Sequence, residues 1–126
     1  MFKDVRAYSG FSVDDLGAAR EFYGDVLGLE MEDYGPGVML RIAGSNGVFF
    51  YAKDDHVPAT FTILNFPIDD IDRVVDELMD KGVGFELYEG ITDERGVARG
   101  LSTGQGPDIA WFRDPAGNIL AVLQEQ

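Results

Sequence analysis

The chain has no cysteine among its 126 residues, which excludes disulfides, thiolate nucleophiles and cysteine-held metals. It has one histidine, His56, so no site can be built from two imidazoles. It has one tryptophan, Trp111. Basic residues are scarce: 10 lysines and arginines stand against 23 acidic residues, for a formal net charge of −13. That potential repels phosphate backbones and anionic membrane faces, so neither nucleic acid nor membrane is expected as a partner. A cationic ligand would be attracted, although the same surplus also serves solubility. No apolar run approaches the roughly 20 residues that cross a bilayer. The opening Met1-Phe2-Lys3-Asp4-Val5-Arg6 lacks the apolar core of a secretion signal, and the expectation is a cytoplasmic protein. A chain of this length is expected to form one domain, 1–126, burying about two-thirds of its unfolded surface.

What the chain does contain is an internal repeat. The stretch Phe11-Ser12-Val13-Asp14-Asp15-Leu16 returns as Phe66-Pro67-Ile68-Asp69-Asp70-Ile71. Each copy follows a strand pattern and opens a helical one. In the first copy Val5, Ala7, Phe11 and Val13 alternate with polar residues, and Leu16, Ala19, Phe22 or Tyr23, and Val26 recur at helical spacing. Asp14 or Asp15 supplies the N-cap, and Gly28 suits the left-handed position that ends the helix. Three strands are expected over 29–33, 38–42 and 48–52, with Gly35-Pro36-Gly37 and Gly44-Ser45-Asn46-Gly47 as turns.

The second copy repeats the plan. A strand is expected over 60–68, then a helix capped by Asp69 or Asp70 with Ile71, Val74, Val75, Leu78 and Met79 on one face. Gly82 closes it, and 83–88 reads as a strand. The glycine-rich stretch from Glu89 to Gly106 fits either a lid or an ordinary exposed hairpin. Residues 108–113 and 118–124 form the last hairpin, turned by Asp114-Pro115-Ala116-Gly117-Asn118. The order is βαβββ twice, an α+β fold with module 1 over about 1–57 and module 2 over about 58–126.

These residues resemble the vicinal oxygen chelate superfamily, which includes glyoxalase I, bleomycin-resistance proteins and extradiol dioxygenases. Val13, Asp15, Leu16, Phe22, Tyr23, Leu27 and Gly28 match its opening pattern, and Phe112, Asp114, Pro115, Gly117 and Asn118 match its closing hairpin. The resemblance implies two modules forming a cupped sheet with helices outside, a site in the cup and a homodimer. It also implies that an enzyme of this class would hold a divalent metal with four His, Glu or Gln side chains. Carried over by strand register, the ligand positions fall on Tyr8, Phe50, Ile63 and Ala121. Three of these are apolar and one is a phenol, and a shift by one residue at Tyr8, Ile63 or Ala121 brings in no ligand. Neither a metal nor another cofactor is expected, and metal-dependent glyoxalase or dioxygenase chemistry is not.

The expected ligand-binding residues are Tyr8, Phe50, Phe61, Ile63, Asn65, Trp111 and Ala121, an apolar and aromatic lining with few polar points. Trp111 suits either stacking on a planar or cationic ligand or a place in the core. Asn65 is the expected polar anchor. His56, between Asp55 and Val57-Pro58, is expected on an exposed loop. Two functions follow. The first is sequestration of a small hydrophobic or aromatic, cationic molecule, as in bleomycin-resistance proteins. The alternative is a metal-free lyase or isomerase with Tyr8 or a carboxylate as acid or base, although no paired carboxylates or nucleophile–base couple stand out by spacing.

Overall fold

The computed structural model describes residues 1–126. The chain divides into two compact units, Met1–Pro58 and Ala59–Gln126. Each contains one four-stranded mixed sheet and one principal helix.

In the first unit, β1 (Ser9–Val13) leads into α1 (Leu16–Glu21), and β2 (Met31–Tyr34), β3 (Gly37–Leu40) and β4 (Val48–Ala52) follow. The sheet order is β1-β4-β3-β2, with β1 parallel to β4 and the other pairs antiparallel. Asp15 caps α1, its side chain accepting from the Ala18 N–H at 3.1 Å. The helix does not run on regularly to residue 26: it widens into a π-helical turn over Phe22–Val26, which buries Phe22 and Tyr23 together. Gly28 then takes the left-handed conformation at φ +73° that ends the segment.

The two sides of this sheet differ because strand side chains alternate. Phe11 and Val13 of β1, with Val48 and Phe50 of β4, face the helix. Phe50 is fully buried, stacked on Phe11 at 5.7 Å and tilted against Tyr23 at 5.5 Å. The opposite side carries Gly10, Ser12, Phe49 and Tyr51, paired as Gly10 with Phe49 and Ser12 with Tyr51.

The second unit repeats the plan with β5 (Thr62–Pro67), α2 (Ile71–Asp80), β6 (Val97–Arg99), β7 (Asp108–Arg113) and β8 (Ile119–Gln124), in sheet order β5-β8-β7-β6. Asp70 caps α2 by accepting from the Arg73 N–H at 3.2 Å. Ile71, Val75 and Leu78 are buried, and the sheet meets them with Val97, Ala110, Phe112, Leu120 and Val122. Met79, expected on the same stripe, is 40% exposed. The segment 83–88 is not a strand. It makes a single bridge, Phe85 to Phe112, and one further backbone bond, Glu86 N–H to the Trp111 carbonyl at 2.8 Å. Two glycines close by explain this, since Gly82 and Gly90 both adopt positive φ and turn the chain off the sheet edge.

The closing turn is built by Asp114. Its Oδ1 accepts from the backbone N–H groups of Ala116 at 2.9 Å and Asn118 at 2.8 Å, and its Oδ2 accepts from the Asn118 side chain at 3.0 Å. Both side chains are buried, so their role is to set this turn.

Because Phe50 is fully buried against Phe11 and Tyr23, Phe50→Ala should destabilise the chain by about 3–5 kcal/mol. Urea denaturation at equilibrium measures this. A loss below about 1 kcal/mol would mean that the ring does not organise the core.

Candidate functional site

The helix covers one face of each sheet, so the other face is the candidate surface. On the first sheet that face carries a run of four aromatic rings. Tyr8 meets Tyr34 edge-on at 6.0 Å, Tyr34 meets Phe49 at 5.7 Å, and Phe49 stacks on Tyr51 at 5.6 Å. Gly37 makes this run possible: a Cβ there would stand 2.8 Å from the Phe49 ring and 2.3 Å from the Phe50 carbonyl oxygen. Tyr8 and Tyr34 also border a shallow groove of about 410 Å³, with Arg6, Glu32, Met39 and Arg41 around it. Arg41 is ion-paired with Glu32 there.

Phe50 does not belong to this face. The repeat shows why, because Phe11 and Phe66 are equivalent and so Gly10 corresponds to Asn65. Asn65 pairs with Ala121, and Gly10 pairs with Phe49. The first-unit counterpart of Ala121 is therefore Phe49, one residue from the expected position. With the register corrected, the four family ligand positions hold Tyr8, Phe49, Ile63 and Ala121, and this donor set does not fit a divalent metal. No group of three or more His, Cys, Asp or Glu side chains is placed to hold a metal ion anywhere in the chain.

Tyr8 lies just ahead of β1 and is half-exposed. A hydrogen bond with Tyr34 raises its phenol pKa above the ordinary value. That shift keeps the phenol protonated near neutrality, which disfavours Tyr8 as a base and leaves its acid form in place.

On the second sheet Asn65, Ala121 and Trp111 stand side by side across β5, β8 and β7. Trp111 is half-buried, and Tyr88 packs edge-on against it at 5.6 Å. Ala121, between them, is fully buried, while the Asn65 side chain, expected as a buried anchor, is exposed. Ile109 and Ala98 extend the same face towards β6, where a groove of about 580 Å³ opens. Ile63 falls at a register shift between Thr62 and Leu64 rather than in the regular row. Phe61 precedes β5 and is 69% exposed, so it is not part of the sheet face.

Five acidic and basic residues fasten the far side of that groove. Arg99 holds Asp72 of α2 through two bonds, at 2.7 and 3.1 Å, and donates to Asp93 at 3.2 Å. Arg95 donates to Asp76 at 2.8 Å. The Glu89–Gly106 stretch is thus joined to α2 by a network of ion pairs. The Arg99 hydrogen bond lowers the Asp72 carboxyl below the usual carboxylate range. Burial alone would raise Asp93, but the Val97 and Arg95 backbone donors and Arg99 outweigh it, and the net shift is downward.

His56 is the residue whose expected placement is furthest from the observed one. It is half-buried, and its Nδ1 lies 2.6 Å from Ser12 Oγ on the open face of the first sheet. The tight turn Lys53–His56 brings it back: the His56 N–H donates to the Lys53 carbonyl at 3.0 Å, and the Lys53 N–H donates to Val13 at 2.9 Å. A contact over 44 residues leaves no mark in local spacing, and the only signal was the alternation that put Ser12 opposite Val13.

This two-sheet arrangement defines a protein class. The chain belongs to the glyoxalase/bleomycin resistance protein/dioxygenase superfamily, whose family model matches residues 7–122. Solved structures share the fold at low identity. TnmS3, an antibiotic binding protein from Streptomyces sp. CB03234, is 20% identical over 98% of both chains, with a TM-score of 0.68. A glyoxalase family protein from Enterococcus faecalis is 21% identical over 98% of this chain and 99% of that one, also at 0.68. The lactoylglutathione lyase from Agrobacterium tumefaciens is 23% identical over 97% and 96%, at 0.67. No curated protein sequence matches significantly.

The Asp72 and Asp93 shifts set a pH dependence. Carboxyls held below their unfolded values stabilise the fold fully above about pH 4, and the contribution is lost as pH falls through the lowered values. The stability difference between wild type and Arg99→Met should therefore be widest near neutrality and shrink below about pH 4. Thermal denaturation of both proteins from pH 7 to pH 3 measures it, and a constant difference would exclude Arg99 as the cause.

Proposed function

We propose that the chain binds a small planar aromatic molecule carrying positive charge on the open sheet faces, without a metal. The observation that carries this reading is the row Asn65–Ala121–Trp111. The half-buried Trp111 indole and the exposed Asn65 amide stand on one sheet face, on either side of the buried Ala121. A bound ring would stack on the indole and meet the Asn65 amide as hydrogen-bond partner. The aromatic run from Tyr8 to Tyr51 offers a second stacking surface of the same kind. The net charge of −13 favours a cation over an anion. An antibiotic binding protein among the structures of the same fold is in keeping with sequestration.

Trp111 is the only tryptophan, so its fluorescence reports the site directly. Titration with a panel of cationic aromatic compounds should quench it, with weaker affinity as salt rises and no change on adding a chelator. Trp111→Ala should weaken binding by about 1–3 kcal/mol while leaving stability nearly intact. A variant destabilised by about 3–5 kcal/mol, with no quenching in the wild type, would assign Trp111 to packing instead.

The same reading includes a cytoplasmic homodimer. Its support is that β2 and β6 each end a sheet with a neighbour on one side only, an arrangement that pairing with a second copy would cover. Sedimentation velocity at micromolar concentration should give about twice the 13.8 kDa chain mass, and a monomer alone would rule the dimer out.

A further inference from the structure

We propose that Ser12 and His56 form a nucleophile–base couple that makes the open face of the first unit reactive towards carboxylic esters of small aromatic compounds. The reaction is separate from the binding proposed at Trp111. Four observations carry it. Ser12 Oγ and His56 Nδ1 are 2.6 Å apart, hydrogen-bond distance for a hydroxyl and an imidazole nitrogen. Ser12 sits within a regular strand, paired with Tyr51, so its backbone is fixed. His56 is fixed in turn by the Lys53–His56 turn, which the Lys53–Asp55 ion pair braces at 3.0 Å. Both residues are half-buried on the side away from α1, where Tyr51 and the Phe49 ring stacked on it provide an aromatic surface beside the hydroxyl.

The chemistry follows from the couple. Ser12 Oγ attacks the ester carbonyl carbon as its proton passes to His56 Nδ1. The carbon–oxygen bond to the alcohol breaks, and the alcohol leaves with that proton. Water then attacks the acyl-serine, giving one proton to His56, which returns it to Ser12 as the carboxylic acid departs. Ester and water are consumed and acid and alcohol are formed, with no other reactant.

The test uses a fluorophosphonate, whose fluoride is displaced by an activated serine hydroxyl, followed by peptide mapping. One phosphonyl group is expected on the Ser12 peptide, and none there in Ser12→Ala. His56→Gln should lower the labelling rate constant on the order of 10²-fold. A second variant covers the case in which the probe is too large. Ser12→Cys introduces the only thiol in the chain. Iodoacetamide should alkylate that thiol about tenfold or more faster with His56 present than with His56→Gln added. Rates are measured below each variant's melting transition, so a bond that only ties the turn to β1 would change stability and leave the rate constants alike. That result, or labelling confined to tyrosine and lysine side chains, would overturn the couple.

Discussion

Each sheet has a helix on one side only, and what the opposite face presents follows from that. Aromatic rings around Phe50 and Tyr23 hold α1 to the first sheet, and aliphatic side chains around Phe112 and Leu120 hold α2 to the second. Because strand side chains alternate, fixing one face decides what the other presents. Val13 faces the helix, so Ser12 cannot. Leu120 and Val122 meet α2, so Ala121 is turned away and shares its side with Trp111. A slip of one residue in any strand would exchange core and site, and the buried rings oppose that slip with several kilocalories per mole.

The two units solve the same problem with different side chains. Equivalent positions hold Gly10 and Phe49 in the first sheet, Asn65 and Ala121 in the second. In the first, the large residue is on the inner strand and a glycine is opposite it, so the Phe49 ring spreads towards Tyr34 and Tyr51. In the second, the large residue has moved one strand over, to Trp111, and an amide stands across a small alanine. One face is a nearly continuous aromatic surface with a hydroxyl–imidazole couple at its end. The other presents a single ring and a single amide on either side of a buried alanine. Duplication of the fold has not duplicated the chemistry.

Much of this was legible in the sequence because the signals were local. The capping aspartates Asp15 and Asp70, the terminal glycines Gly28 and Gly82, and the Asp114–Asn118 turn all act within a few residues of chain, and the structure shows each in the expected role. The strand over 48–52 is where it was expected, but Phe50 faces the helix, because the side a residue takes depends on parity and a single residue reverses it. A run such as Val48-Phe49-Phe50-Tyr51 is apolar on both faces and carries no internal clue to which side is which. The strand expected at 83–88 failed for a different reason: its residues favour a strand, but the glycines at either side take the chain off the sheet. The Ser12–His56 contact was out of reach, because the fold alone brings those two residues together.

The charge of the chain links these observations to ligand choice. Part of the acidic surplus is spoken for: Asp72, Asp76 and Asp93 are matched by Arg95 and Arg99, and Glu32 and Glu86 by Arg41 and Arg113. Those pairs fasten the Glu89–Gly106 stretch and two strand edges, and they contribute little net field beyond their own neighbourhood. The unmatched carboxylates remain as a diffuse negative potential that concentrates cations near the surface without selecting among them. Selection then falls to the rings and the few polar groups on the open faces, where a flat cation gains from both terms at once. A neutral aromatic gains from only one, and an anion loses to the potential whatever its shape. For the proposed binding, charge and aromatic surface together therefore narrow the class of ligand further than the fold alone does.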